Sequence, residues 1–267
     1  MSSQNIVVVP LYKKDLNKYE LISLEQCFRI FTGKTIIAVK PVDLDISSIL
    51  PRFPFTQVIA FENRFFESIH GYNALMLSPV FYQAFLPYNF MLIYQPDTFA
   101  FVDELDYWSI QGYDYIGAPW IKPLKPDNPM NRAIYNFKSY LYTKFNVTRD
   151  GLPKSKQFYN KTGNGGFSLR NIKLFYQLAN EEKALARHYI NLKNLAFNED
   201  LFWSIEINRK KKRIRIPDYK TSLKFSIETF PEYGYQLIEN NLPFGCHAWE
   251  KHLNFWKDKI TAFGYQL

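Results

Sequence analysis

A chain of 267 residues with 47% hydrophobic and 22% charged content is long enough to bury a sizeable core, and it is neither disordered nor fibrous. Lys and Arg outnumber Asp and Glu by 33 to 25, a net charge of +8, which favours anionic partners such as nucleotides, nucleic acid or an anionic membrane face. Phe, Tyr and Trp make up 18%, a load that suits a deep core together with a groove that stacks on rings or sugars.

The first hundred residues alternate short apolar runs with amphipathic segments. Residues 6–9 read as a buried strand, and the spacing of Leu21, Leu24, Phe28 and Phe31 predicts a helix that Gly33 stops. Residues 35–39, 57–61 and 90–94 read as further strands and 78–85 as a helix. Strand and helix in alternation predict an α/β fold on a mostly parallel sheet. Residues 122–160 lose the period, gather Pro and Lys, and read as an insertion with one helical stretch over 132–142. Order returns at Gly163, with helices expected over 172–178 and from about Glu199. We read one domain over 1–267, with a nucleotide-binding half to about residue 100 and an acceptor and catalytic half beyond it.

Cys27 and Cys246 have neither metal-ligand nor disulfide spacing. The opening MSSQNIVVVP lacks the basic and apolar regions of a signal peptide, and no apolar run approaches the ~20 residues that span a bilayer. A cytosolic protein is expected.

Four segments carry candidate chemistry. Asp97 follows the apolar run 90–94, and ligands of open parallel sheets sit beyond the carboxyl ends of strands; a turn Asp capping a helix is the plainer use. Gly163-Asn164-Gly165-Gly166 reads as a glycine-rich turn before a helix, either a tight turn or a loop that lets backbone approach a ligand. Glu199 and Asp200 open a helix, where carboxylates suit the helix dipole and either could serve as a general base. His247 and Lys251 lie four residues apart near the end of the chain, a metal ligand and a phosphate contact if functional, structural otherwise. Gly33-Lys34-Thr35 imitates the end of a P-loop but has Phe28 where its first glycine belongs. The run from Arg209 to Arg213, with Arg215 beyond, reads as a solvated helix end or as contact with an anionic membrane, and no nucleic-acid motif accompanies it.

In chain order these segments resemble the motif series of GT-A glycosyltransferases. The spans LIYQPDTFAFVDELDYW, GYDYIGAPW, GNGGFSLR, NEDLFWS and PFGCHAWEK are similar to a poorly characterised family associated with surface-polysaccharide synthesis. The resemblance implies a GT-A-like sheet and roles residue by residue. Asp97 matches the last Asp of the Asp-x-Asp motif that holds Mn²⁺ or Mg²⁺ against the donor diphosphate, and Gln95 replaces the first, which leaves strict metal dependence open. Gly163, Asn164, Gly165 and Gly166 match the loop beside the donor sugar, Asp200 the catalytic base of inverting members with Glu199 in support, and His247 a further metal ligand. Lys251 is expected on the diphosphate, and Pro10, Leu11 and Tyr12 beside the nucleoside. The expected reaction is transfer from a nucleotide sugar to a glycan or lipid-linked glycan, with peripheral contact at the inner membrane face and no nucleic-acid partner. Two alternatives stand: a nucleotidyltransferase that makes the sugar nucleotide, and a non-catalytic module binding glycan or anionic membrane.

Overall fold

The computed structural model describes residues 4–192, 194 and 197–267. Eleven strands are described: β1 Ile6–Pro10, β2 Thr35–Pro41, β3 Gln57–Phe61, β4 Phe90–Tyr94, β5 Thr98–Ala100, β6 Tyr115–Trp120, β7 Thr148–Arg149, β8 Leu152–Pro153, β9 Lys161–Asn171, β10 Ser226–Ile227 and β11 Gly245–His247. The helices are α1 Lys18–Ile30, α2 Ile69–Met76, α3 Pro79–Gln83, α4 Leu105–Ser109, α5 Pro129–Lys144, α6 Ile172–Glu181, α7 Lys183–Asn191, α8 Glu199–Ser204, α9 Tyr219–Phe225, α10 Pro231–Leu237 and α11 Leu253–Thr261.

Six strands form the central sheet in the order β3-β2-β1-β4-β9-β6. The pairs β1–β2, β1–β4 and β2–β3 are parallel, and β9 runs antiparallel to both its neighbours, so the expected mostly parallel sheet carries one reversed strand. Both faces are covered. In β1 the alternation of a strand sends Ile6 and Val8 into one buried cluster with Tyr82, Phe175 and Trp203, and Val7 and Val9 into another with Leu24, Phe31 and Tyr94. Full burial of each such side chain stabilises the fold by about 1.5–3 kcal/mol relative to exposure. At the start of α1, Asn17 accepts from the backbone of Tyr19 and Glu20 while Glu20 accepts from the Asn17 backbone, a reciprocal cap that fixes the end nearest the cleft. Chain order reverses between β1 and β4, because β2 and β3 extend one way and β4 lies on the other side. That is the switch point at which open α/β sheets bind ligands, beyond the carboxyl ends of the strands.

Two expectations need correction. The glycine run lies inside the eleven-residue strand β9, not in a turn before a helix. Glycine lowers strand propensity, and here it marks irregular pairing and close approach: the β6–β9 register shifts twice, and a Cβ on Gly117 would stand 2.1 Å from the Asn164 carbonyl oxygen. The arginines of the basic run are largely engaged. Arg209 bonds Glu206 and the Thr143 carbonyl, Arg213 pairs with Glu181 and Glu182, and Arg215 with Asp114; the exposed remainder is Lys210, Lys211 and Lys212.

Candidate active site

A cleft of about 610 Å³ opens at the switch point, within the range of small-molecule sites. Its floor is the end of β1, with Pro10 and Tyr12, and the segment after β4, with Gln95 and Asp97. Asn164 and Gly166 of β9, Asn198, Glu199 and Asp200 at the start of α8, and His247 and Glu250 near the chain end form much of the wall, with the start of α1 and residues of α2 beside them. The four segments that carry candidate chemistry in the sequence therefore meet in one cavity, beside the end of β1. Leu11, expected beside a nucleoside, is buried in the core instead, because its backbone extends the β1 ladder with a bond to the Val39 carbonyl. Gly163 lies outside the cleft against Ser204 and Trp120, Gly165 sits behind Glu199 and Asp200, and Lys251 is exposed outside the wall.

The glycines of β9 make room for the charged groups. A Cβ on Gly166 would lie 2.2 Å from His247 Nε2, and one on Gly165 would lie 2.3 Å from Asp200 Oδ1 and 2.4 Å from Glu199 Oε1. Asn164 Oδ1 accepts from the Gly166 backbone at 3.0 Å, and the Gly166 carbonyl accepts from Gln95 N at 3.0 Å, so the strand is held against the β4–β5 turn. Only residues without a side chain allow the imidazole and the acidic pair to rest on that backbone.

One side of the cleft is acidic. Successive helical residues point about 100° apart, yet Glu199 and Asp200 both face the cavity and converge on Gly165. Buried Arg170 draws Glu199 inward with an Nη2–Oε1 bond of 2.9 Å. The same guanidinium donates to Tyr82 at 3.0 Å and to Ser168 at 3.2 Å, and the Tyr82 hydroxyl in turn donates to the Met76 carbonyl at 2.8 Å. Asn73 accepts from the Glu199 backbone at 3.3 Å. Asp200 has no such support: its Oδ1 is buried without a hydrogen-bond partner, as is Glu199 Oε2. Burial first, then the neighbouring Glu199 charge, push the Asp200 carboxyl well above the usual range, and Arg170 offsets this only in part.

The opposite side pairs Asp97 with His247. Asp97 lies in the turn between β4 and β5, and β5 pairs antiparallel with β11, with His247 opposite Thr98. His247 Nε2 stands 3.2 Å from Asp97 Oδ1, and Nδ1 stands 3.2 Å from Glu228 Oε1. Burial disfavours a charged ring, but the two carboxylates outweigh it and push its pKa up to about 10; burial likewise opposes the charge on Asp97, and His247 overcomes it to hold that carboxyl below its ordinary value. Neither contact is aligned as a hydrogen bond, so both buried ring nitrogens lack a directed partner. Among the described residues no group of three His, Cys, Asp or Glu side chains is arranged to hold a metal by itself. A carboxylate and an imidazole, the ring giving up its extra proton to the incoming cation, fit an ion that shares its remaining positions with phosphate oxygens and water, a donor set that suits Mn²⁺ at least as well as Mg²⁺.

Arg170, Tyr72, Glu228 and Glu250 had no role in the sequence reading. Tyr72 and Gln95 both line the cleft, and Glu250 faces it with a buried, unpartnered Oε2. Arg170 closes the GNGGFSLR span and Glu250 lies within PFGCHAWEK, so the segments were visible although the roles were not.

The family model "Protein of unknown function (DUF5672)" matches residues 55–247, and the chain belongs to that family. No curated protein matches the sequence. Among solved structures, mouse xyloside xylosyltransferase 1 in its apo form aligns with a TM-score of 0.50 at 10% identity, over 91% of this chain and 97% of that one. Core-mannan synthase A of Aspergillus fumigatus, in a Mn/GDP form, aligns at 0.46 and 11% identity, over 74% of this chain and 66% of that one. The bifunctional glycosyltransferase WbbM aligns at 0.48 and 11%, over 98% of this chain but 52% of that one. At these identities the likeness concerns the fold, and the xylosyltransferase carries it: the six-stranded α/β architecture is one that glycosyltransferases adopt.

Proposed function

We propose that the protein is an inverting, metal-assisted glycosyltransferase that moves a sugar from a nucleotide-sugar donor to a glycan or lipid-linked glycan. The observation that carries this reading is the cleft at the switch point, where Asp97 and His247 face Glu199 and Asp200 across the glycines of β9. Pro10 and Tyr12 receive the nucleoside, Gln95, Asn164 and Gly166 the donor phosphates and sugar, and Lys251 approaches the diphosphate from the rim. Asp97 and His247 would hold Mn²⁺ or Mg²⁺, which when bound offsets charge on the departing diphosphate. Ionised Asp200 takes the proton of the acceptor hydroxyl as that oxygen bonds to the anomeric carbon and the bond to the diphosphate oxygen breaks. The burial and like charge that raise the proton affinity of Asp200 bring its strength as a base nearer the working pH. Glu199, fixed by Arg170, holds Asp200 in place and supplies the like charge. Displacement from one face inverts the configuration at the anomeric carbon. A lipid-linked acceptor would bring this cytosolic enzyme to a membrane face, and among the described residues no helix is long and apolar enough to cross one.

Incubation with a panel of nucleotide sugars and Mn²⁺ tests the reading. A transferase slowly releases nucleoside diphosphate from its own donor by transfer to water. A nucleotidyltransferase would instead release sugar phosphate when given pyrophosphate, and a binding module would release nothing; either result would reject the proposal.

A further inference from the structure

Helix α5 is inside out. Its polar stripe faces the protein: Ser139 donates to the Tyr159 carbonyl at 2.9 Å, Thr143 to the Gln157 carbonyl at 3.0 Å, and Asn136 accepts from Asn160 at 2.9 Å. Ser139 is the one residue of this sixteen-residue helix that is buried. The stripe facing away holds Met130, Ile134 and Phe137 at helical spacing and ends on Phe145, and these are 69%, 41%, 62% and 68% exposed. A helix that packs its hydroxyls and exposes its large apolar side chains leaves that face for something else to cover.

Charge identifies the cover. Helix α5 itself has no Asp or Glu; Arg132 and Arg149 pair with Asp127 and Asp150 beyond its ends, and Lys138 and Lys144 have no ion pair among the described residues. Lys138 lies over the Tyr135 ring and Lys144 over Tyr140 and Phe145, with ammonium groups 5.7–6.0 Å from the ring centroids, as stems lying along apolar surface with charged heads free to extend. Arg209 bonds the Thr143 carbonyl near the end of α5, which anchors the start of the basic run to the end of that helix. Pairing two copies through this face would crowd Lys138 and Lys144 with no carboxylate on α5 to relieve them, which disfavours a self-associated dimer. Apolar and aromatic side chains on one face with flanking lysines are the features of a helix lying in the interface of an anionic bilayer. We propose that α5 docks the protein on an anionic membrane surface, with Ile134 and Phe137 inserted among the lipid chains and Lys138 and Lys144 on the headgroups. The inference stands apart from the reaction in the cleft.

Co-sedimentation with phosphatidylcholine vesicles, with and without phosphatidylglycerol, tests it. The wild-type protein should bind the anionic vesicles, more weakly as salt rises, and an Ile134→Gln/Phe137→Gln variant should bind about tenfold more weakly or worse with unchanged thermal unfolding. As a second measurement, a polarity-sensitive dye on Phe137→Cys should shift to the blue with anionic vesicles; Cys27 and Cys246 are buried and would not compete for the label. No binding by the wild type, equal binding by the double variant, or a dye that does not shift would each overturn the proposal. So would a dimer in solution that the double variant abolishes.

Discussion

Asp200 and Glu199 share a wall of the cleft and have opposite energetic roles. Asp200 is lifted by burial and by Glu199, so the folded chain holds its proton more tightly than the unfolded chain does. Its contribution to stability is therefore present below the ordinary Asp range and is lost as pH rises through the elevated folded value. Asp200→Asn should raise the melting temperature of the unliganded protein at neutral pH and leave it unchanged in acid, as differential scanning calorimetry would record. Glu199→Gln should lower it, because removing one partner of a buried ion pair leaves Arg170 uncompensated, at a cost on the order of 3–5 kcal/mol. The pH–rate profile carries the same sign: turnover should rise with pH through a value above the usual carboxylate range, as Asp200 loses its proton, and a flat profile there would contradict the assignment. Both carboxylates were legible as a pair at a helix start. Their convergence was not, since the cation that draws Glu199 inward lies 29 residues away on another element.

At the scale of elements, β9 decides the geometry. Gly166→Ala should push the His247 ring off its position and weaken metal-dependent binding of a nucleoside diphosphate, as calorimetry with and without Mn²⁺ would show. Gly165→Ala should instead disturb the acidic pair and lower turnover by about 10²-fold, the scale of a one-ångström misplacement, with donor affinity largely kept. If both variants lost only binding, the glycines would not be dividing the cleft as described. The strands of the first half were legible because continuous apolar runs bounded by Pro and Gly leave few alternatives; Gln57–Phe61 and Phe90–Tyr94 fall where the sequence put them. The glycine run was misread because its strand character comes from pairing with β4 and β6, which are distant in sequence. Strands β5, β10 and β11, of two or three residues each, carry no period to read. Helix α5 was predicted shorter than it is, and its inverted packing shows only once the segments it bonds are in place.

Across the whole molecule, the switch point gathers into one cleft four segments that the sequence suggested separately, and the net charge of +8 suits an anionic donor. A donor present at 100 times its dissociation constant should stabilise the fold by about 2.7 kcal/mol, so a thermal-shift screen of nucleotide sugars identifies the nucleotide and sugar before any acceptor is known. The central claim is that this cleft transfers a sugar with Asp200 as base. It is tested most directly by the rate of nucleoside diphosphate release, with acceptor or water, by wild type and Asp200→Asn at saturating donor. The account predicts a fall of about 10²–10⁴-fold in the variant with the dissociation constant of the donor unchanged. Release by the variant at the wild-type rate would contradict it.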